Sequence, residues 1–572
     1  MRFRTLSFSR NLYLPLMLSA TLSTICELVT ELLDGIVAGL FLNEEALTAI
    51  AIVSPLGMFA TFVSGVIVIG TSNLYLREIG KMNKKHADGL YSQALMICVF
   101  VSIALFLSFE FFIDDYFKFM GISEAVIHEA YEYCMYFKYV VLLLPFEYLY
   151  ELLVYDDGDN FICNFASIAY LLTHTLLPVA FVGSFGTRGI GLGNFLSMAI
   201  IVAVYLMHFF KKSNNLHFRF YFSFKDIKEI VPLSLIDCIY MLFQSLTNLT
   251  LNKFVISVYS EKYIPILTVA LAVVQICVVF DGLGVGMTPL CEVYMGEKNY
   301  KAEKELFVFS VIVSLIESAL AVIFVNIYAP YIIQTYGITG TENIKLATIC
   351  IRIASLCLPF ISLAFIYSSQ YLILRKVSYG VFMVCVDIFV VPLVFSLICG
   401  HLFNFISIWI GFLFGSLSST LITIYACQKL INKDEYLSSL DKYNILNKSF
   451  IAQKDEIIEL RNCIEDYLKN NNIDHQSIMK IMLLVEEYVT NVISRNNDKK
   501  LIGECSIIIH KDHIKLYLRD NGDIINWSDS DNNVTGIEAY VYYNLVDTFE
   551  DKRYVTTVSY NRTVFNIPLA TH

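Results

Sequence analysis

The sequence predicts a polytopic α-helical membrane protein with about twelve transmembrane helices in two six-helix halves. A small cytoplasmic α/β-sandwich domain follows them. Three observations carry this prediction. Of 572 residues, 56% are hydrophobic and only 16% are charged, whereas soluble proteins average about 25% charged. Apolar segments of about 20 residues or more recur as far as about residue 429. Past residue 430 the composition turns polar and the pattern of a mixed soluble domain begins.

The apolar segments fall near 11–40, 47–76, 90–113, 131–155, 161–185, 188–210, 231–258, 264–292, 306–329, 346–373, 380–400 and 405–429. The basic N-terminus precedes a run too long for a signal-peptide core, so the first span is retained. Connecting segments alternate in charge: roughly seventeen Lys/Arg lie on one set against about four on the other, which places both termini in the cytoplasm. The acidic DDGDN (156–160) lies on the basic side and breaks the rule. REIGKMNKK (77–85) resembles VYMGEKNYK (293–301), and LLLPFEYL (142–149) resembles LCLPFISL (356–363). Both matches are about 215 positions apart, the spacing of two repeated halves as found in secondary transporters. The expected division is 1–215, 216–430, a linker at 431–448 and a domain at 449–572.

The net charge of −11 speaks against a nucleic-acid partner, which calls for a basic footprint. The fourteen cysteines sit mostly in apolar runs without a C-x-x-C pair, so neither a zinc site nor a disulfide framework is expected. The partners expected are a lipid bilayer and a small-molecule cargo.

The first span carries Glu27, Glu31 and Asp34, although a carboxylate at bilayer depth costs roughly 2.5–3.5 kcal/mol. At about 100° per residue the three share an arc of roughly 60°. A stripe of this kind can face an aqueous cleft, hold protons or coordinate Na⁺ through oxygen. The alternative is structural pairing with Lys138, Lys253 or Arg352, the basic residues within spans. Glu147, Glu151, Asp237, Asp281, Glu317 and Asp387 are further acids in spans.

DGIVAGLFLNEEALTAIAIVSPL (34–56) and GMTPLCEVYMGEKNYKAEKEL (286–306) resemble the paired motifs of the multidrug and toxin extrusion (MATE) family, over essentially 1–430. The resemblance implies two bundles around a central cavity of alternating access, with Asp34 as the first-span aspartate of cation coupling. It implies an antiporter of a bacterial cytoplasmic membrane that exports small cationic or amphipathic compounds in exchange for H⁺ or Na⁺. Many relatives carry an Asn and an Asp one turn apart in the fifth span. HTLLP offers His174 and Pro178 there instead, so Glu27, Glu31 and His174 become candidate coupling groups beside Asp34.

In the tail, residues 451–470 and 476–495 read as amphipathic helices. ECSIIIH and HIKLYLRD read as strands, and YVTTVSYNRTVFNIPL as a hairpin turning at Asn561. Glu487 and Asn491 share a helix face, and Asp520 ends a strand just before Gly522. These features resemble the GHKL ATPase fold of histidine kinases and anti-sigma-factor kinases. The resemblance implies Glu487 as general base, Asn491 as Mg²⁺ ligand, Asp520 and Gly522 at adenine, and Gly536 in the lid over 534–547. ATP with Mg²⁺ is then the implied cofactor, although Ile524 replaces a glycine of the family pattern. Two other readings stand beside the antiporter: a membrane-tethered GHKL kinase or anti-sigma regulator with a protein partner, and a flippase for lipid-linked precursors.

Overall fold

The structure is a computed structural model. It describes residues 7–80, 83–157, 159–211, 214, 216–431, 444–495, 501–510, 512–522, 548–554 and 560–569. Among the described residues fifteen α-helices precede the tail: α1 (Phe8–Phe41), α2 (Glu44–Gly80), α3 (Lys84–Met120), α4 (Glu124–Asp156), α5 (Asn160–Phe185), α6 (Thr187–Leu206), α7 (Phe224–Val258), α8 (Ile264–Gln275), α9 (Val278–Gly296), α10 (Tyr300–Thr335), α11 (Thr341–Ser355), α12 (Leu358–Ile373), α13 (Val377–Met383), α14 (Val391–Leu402) and α15 (Ile406–Ile431). A π-helical turn, Val384–Val390, joins α13 to α14. All twelve expected segments are helical. Among the described residues ten are long and apolar enough to cross a membrane, with Glu261–Gly296, Thr341–Ile373 and Val377–Leu402 each counted as one. The equally long α4 and α7 are outside that set.

Helix α3 shows why a bilayer must be the solvent. Its most apolar window has a mean hydropathy of 2.5, yet only 11% of it is buried. Phe100 and Phe111 point outward with 75% and 71% exposure, a surface stable only against hydrocarbon. Such helices must satisfy their own backbone, and the exceptions are repaired individually. Pro55 within α2 cannot donate to the carbonyl of Ala51. Asn252 Nδ2 of α7 donates to that carbonyl at 2.9 Å, and Ser245 Oγ to the carbonyl of Pro55 at 2.7 Å.

The chain divides into two compact units, Ser23–Asp281 with Ser314–Ile424, and Met1–Leu22 with Gly282–Val313 and Tyr425–His572. Within the first, α2 packs on α4 and α7, and α6 on α4 and α5. Backbones come closest at Gly39 and Gly337. A Cβ on Gly39 would lie 2.2 Å from the Tyr336 carbonyl carbon, and Gly337 has φ +67°. Only glycine meets both demands.

The second unit contains the C-terminal domain, a five-stranded sheet of order β1-β2-β3-β5-β4 with antiparallel pairings throughout. Its strands are β1 (Asn444–Ile451), β2 (Ile502–Ile509), β3 (His513–Asp520), β4 (Thr548–Tyr554) and β5 (Tyr560–Pro568). Helices α16 (Lys454–Asn470) and α17 (His475–Arg495) connect β1 to β2. Side chains alternate across a strand. Ile514, Leu516 and Leu518 accordingly join Leu460, Ile464, Ile481 and Val485 in one helix-covered core. Two expectations need correction. Residues 444–448, read as linker, belong to β1, because Leu446 and Phe450 pack on that core. Asn561 does not turn a hairpin but lies in β5, paired with Asp520 and Arg553.

The opposite sheet face also buries residues. Arg519 is fully buried and donates to Glu504 at 2.7 Å, to Ser506 at 3.1 Å and to Glu297, in the turn between α9 and α10. Arg562 donates to Glu297 at 3.0 Å, and Tyr294 of α9 donates to Glu504 at 3.3 Å. Asn299 and Asn447 exchange amide hydrogen bonds at 2.9 and 3.0 Å. Phe8 of α1 packs edge-on against Tyr560. Two arginines balance two glutamates. Burial raises the Glu504 carboxyl above its ordinary range, and the neighbouring Arg519 opposes that rise.

Candidate functional site

A cavity of about 870 Å³ opens within the first unit, lined from α1, α2, α4, α5, α6, α7 and α8. Among the described residues four carboxylates face it, Glu31, Asp34, Glu147 and Glu151, together with His174 and no Lys or Arg. A wall with one sign of charge and low-dielectric surroundings raises the local concentration of counter-ions.

Asp34 is the best-defined group. Its Oδ2 accepts from Tyr133 Oη of α4 at 2.7 Å and from Asn194 Nδ2 of α6 at 2.5 Å. Its Oδ1 is buried without a hydrogen-bond partner, and so is Asn194 Oδ1. Two donors therefore fix the carboxylate, while one of its oxygens and the amide oxygen remain for a proton or a small cation. Asn194 reaches Asp34 because α5 and α6 nearly touch. A Cβ on Gly193 would lie 2.4 Å from the Pro178 nitrogen. The fifth span thus lacks the expected Asn, and the sixth supplies one.

Glu31 lines the same cavity but answers to other helices. It accepts from Gln244 Nε2 of α7 at 3.1 Å and from Gln275 Nε2 of α8 at 2.9 Å. The acidic stripe is therefore divided between two sets of partners rather than acting as one ladder. The side chain of Glu27 lies outside the described residues. His174 lines the cavity with Nδ1 buried and unpartnered, its ring 5.0 Å from that of Tyr170. The basic residues of the spans pair elsewhere: Lys138 with Glu110 at 2.7 Å, Lys253 with the carbonyls of Phe119 and Met120, and Arg352 with that of Asn326 at 3.3 Å. Of the other acids in spans whose side chains are described, Glu147 and Glu151 face the cavity; the side chain of Asp237 lies outside the described residues.

In the C-terminal domain, Glu487 and Asn491 lie on α17, both half-buried. Asp520 sits beneath that helix, 1% exposed. It accepts from Tyr488 Oη at 2.5 Å, Asn561 Nδ2 at 3.0 Å and the Gly522 amide at 2.8 Å. Most of its acceptor capacity is spent inside the domain. Gly536 and the 534–547 segment lie outside the described residues.

Sequence reasoning missed Tyr133, Asn194, Gln244 and Gln275. A polar residue within an apolar span is the signal that could have found Asn194.

Apolar spanning helices around an acidic cavity define the class, a multi-pass membrane transporter. The MatE family model matches residues 19–155 and 238–410, and the chain belongs to that family. A search of curated protein sequences finds no match. Among solved structures the fold is similar to an inward-facing multidrug resistance MATE family transporter of the MOP superfamily, at TM-score 0.67 and 19% identity over 75% of this chain and 98% of that one. An outward-facing form matches at TM-score 0.61 and 18% identity, over 76% and 97%. A Pyrococcus furiosus transporter of the same superfamily, described as having a binding pocket of reverse polarity that suggests a different function, matches at TM-score 0.61 and 18% identity over 76% and 97%.

Proposed function

We propose that this protein is a cation-coupled antiporter that exports small organic cations through the acidic cavity, in exchange for H⁺ or Na⁺. One observation carries the reading: among the described residues, four carboxylates and no Lys or Arg line the cavity. Cargo entering such a wall is drawn in by its positive charge. A proton or Na⁺ at Asp34 cancels one negative charge of the wall, so ion and cargo compete for the same field. The two states of Asp34 then bias the equilibrium between opposite-facing conformations. The same wall argues against a flippase for anionic lipid-linked precursors, which calls for basic residues. We read the membrane as a bacterial cytoplasmic one, and the loop-charge asymmetry supports both termini lying inside.

The test is transport of ethidium in proteoliposomes under an imposed pH or Na⁺ gradient. Wild-type protein accumulates the dye against its own gradient, and Asp34→Asn reduces the process to leak. Unchanged accumulation by Asp34→Asn overturns the coupling role.

The C-terminal domain is read as a docking and regulatory module of GHKL type whose partner is the α9–α10 turn. Its nucleotide site is Glu487, Asn491 with Mg²⁺, Asp520, Gly522 and Gly536. Adenine binding requires Asp520 to exchange Tyr488 or Asn561 for the adenine amino group. Saturable binding of a fluorescent ATP analogue to the full chain with Mg²⁺, lost in Asp520→Ala, supports the nucleotide site. Its absence leaves docking alone. The kinase or anti-sigma reading needs phosphorylation of a bound protein that Asn491→Ala abolishes.

A further inference from the structure

The cavity leaves the well-buried carboxyl of Asp387 unused. Asp387 lies in the π-helical turn Val384–Val390, 1% exposed, and is not part of the cavity wall. Its Oδ1 is 2.9 Å from Thr423 Oγ1 of α15, and Ser419 Oγ lies 3.5 Å from its main-chain carbonyl. Its Oδ2 is buried without a partner. On α15, Ser416, Ser419, Thr420 and Thr423 share one face, an arc of about 100° at helical spacing. All four are buried, and Thr420 Oγ1 has no partner. A π-helical turn interrupts the regular ladder and recurs at functional sites.

Charge around this carboxyl is uncompensated. Helices α12, α13 and α14 carry no Asp, Glu, Lys or Arg, and their titratable residues are Tyr367, Tyr371, Tyr379, Cys399 and His401. Helix α15 offers Tyr425, Cys427 and, in its last turn, Lys429. Against the π-turn α7 sets Tyr240 and Phe243, whose rings pack on Phe389, and it carries Asp237 one turn before Tyr240. The π-turn itself adds Cys385. Among the described residues no cationic group pairs with Asp387. Burial without a cation disfavours the ionised carboxylate and favours binding of a proton. A hydroxyl partner serves either form, donating to a carboxylate and accepting from a carboxylic acid.

We propose that Asp387 is a second proton-binding site, in the second half of the membrane region and separate from the cargo cavity. The Thr423 hydroxyl reverses its hydrogen bond as the proton arrives and leaves. The site stands independently of Asp34, so its failure and failure of the antiport reading are distinguishable.

The experiment is pH-difference infrared spectroscopy of the full chain in lipid bilayers, read at the carbonyl stretch of protonated carboxyls. The expected result is a band that grows as pH falls, is lost in Asp387→Asn and shifts in frequency in Thr423→Val. Because Asp387→Asn could disturb folding, the shift in Thr423→Val is an independent reading. A difference spectrum identical in wild type and both variants overturns the proposal, since Asp387 would then keep one protonation state at every pH. Loss of the wild-type band on adding Na⁺ at constant pH also overturns it, since the site would then hold Na⁺.

Discussion

At the scale of single residues the account turns on Asp34, whose Oδ2 is held by Tyr133 and Asn194 and whose Oδ1 has no partner. Each hydrogen bond to a charged group is worth about 1.5–3 kcal/mol, roughly tenfold or more in an equilibrium constant. Where Na⁺ drives exchange, Asn194→Ala removes an amide oxygen ligand and raises the half-saturating Na⁺ concentration about tenfold. Where protons drive exchange, the same change takes a donor from the ionised form and lowers the half-saturating proton concentration instead. Transport kinetics under each gradient read the difference, and no change under either contradicts the site. Asp34 was legible because an acid in an apolar run stands out. Tyr133 and Asn194 were not, because contact across sequence separations of 99 and 160 leaves no local pattern. His510, in the C-terminal domain, makes a pH prediction. Burial first, then the charge of His513, pushes its pKa from 6.5 down to about 4. Its neutral form therefore favours the fold above about pH 6.5, and this contribution is lost as pH falls toward 4. Magnetic resonance of the histidine Cε1 should give a midpoint near 4, and His510→Gln should remove that contribution.

At the scale of elements, the acidic DDGDN connection that breaks the loop-charge rule receives a physical explanation. His208 is 1% exposed, with Nε2 at 2.9 Å from Asp157 and Nδ1 at 2.9 Å from Asp159. Lys211 adds a contact to Asp159 at 2.8 Å, and Ser72 donates to Asp156 at 2.7 Å. His208 and Lys211 therefore supply partners for Asp157 and Asp159 inside the fold. The sequence could not show this, because His208 and Lys211 come from the 3-10 turn that follows α6 and from its C-cap. Removing His208 takes one buried partner from Asp157 and leaves Asp159 to Lys211, and losing a buried hydrogen-bond partner costs about 1–3 kcal/mol. His208→Leu should lower the thermal midpoint of the purified protein clearly, while an exposed substitution such as Lys118→Leu leaves it unchanged. Spans were legible because apolar length is a local property. Strand β1 was not, because its core contacts come from Leu446 and Phe450 amid polar neighbours.

At the scale of the whole molecule, the repeat explains where the tail docks. Alignment of the two copies sets Lys81 of the first against Glu297 of the second. That reversed charge receives Arg519 and Arg562. The repeat was legible; its use as a seat for the C-terminal domain was not, because β3 and β5 meet it only in the folded chain. Arg519→Leu leaves Glu504 buried without its cation and Glu297 with Arg562 alone, at a cost of about 3–5 kcal/mol. Hydrogen exchange of residues 295–301 should accelerate in that variant. Glu297→Gln combined with Arg519→Leu should cost less than the sum of the single changes. The central claim concerns the cavity, and the most direct measurement compares tetraphenylphosphonium with tetraphenylborate, ions of similar shape and opposite charge. In the same proteoliposomes the account predicts gradient-driven transport of the cation and exclusion of the anion. Transport of the anion equal to or faster than that of the cation would contradict it.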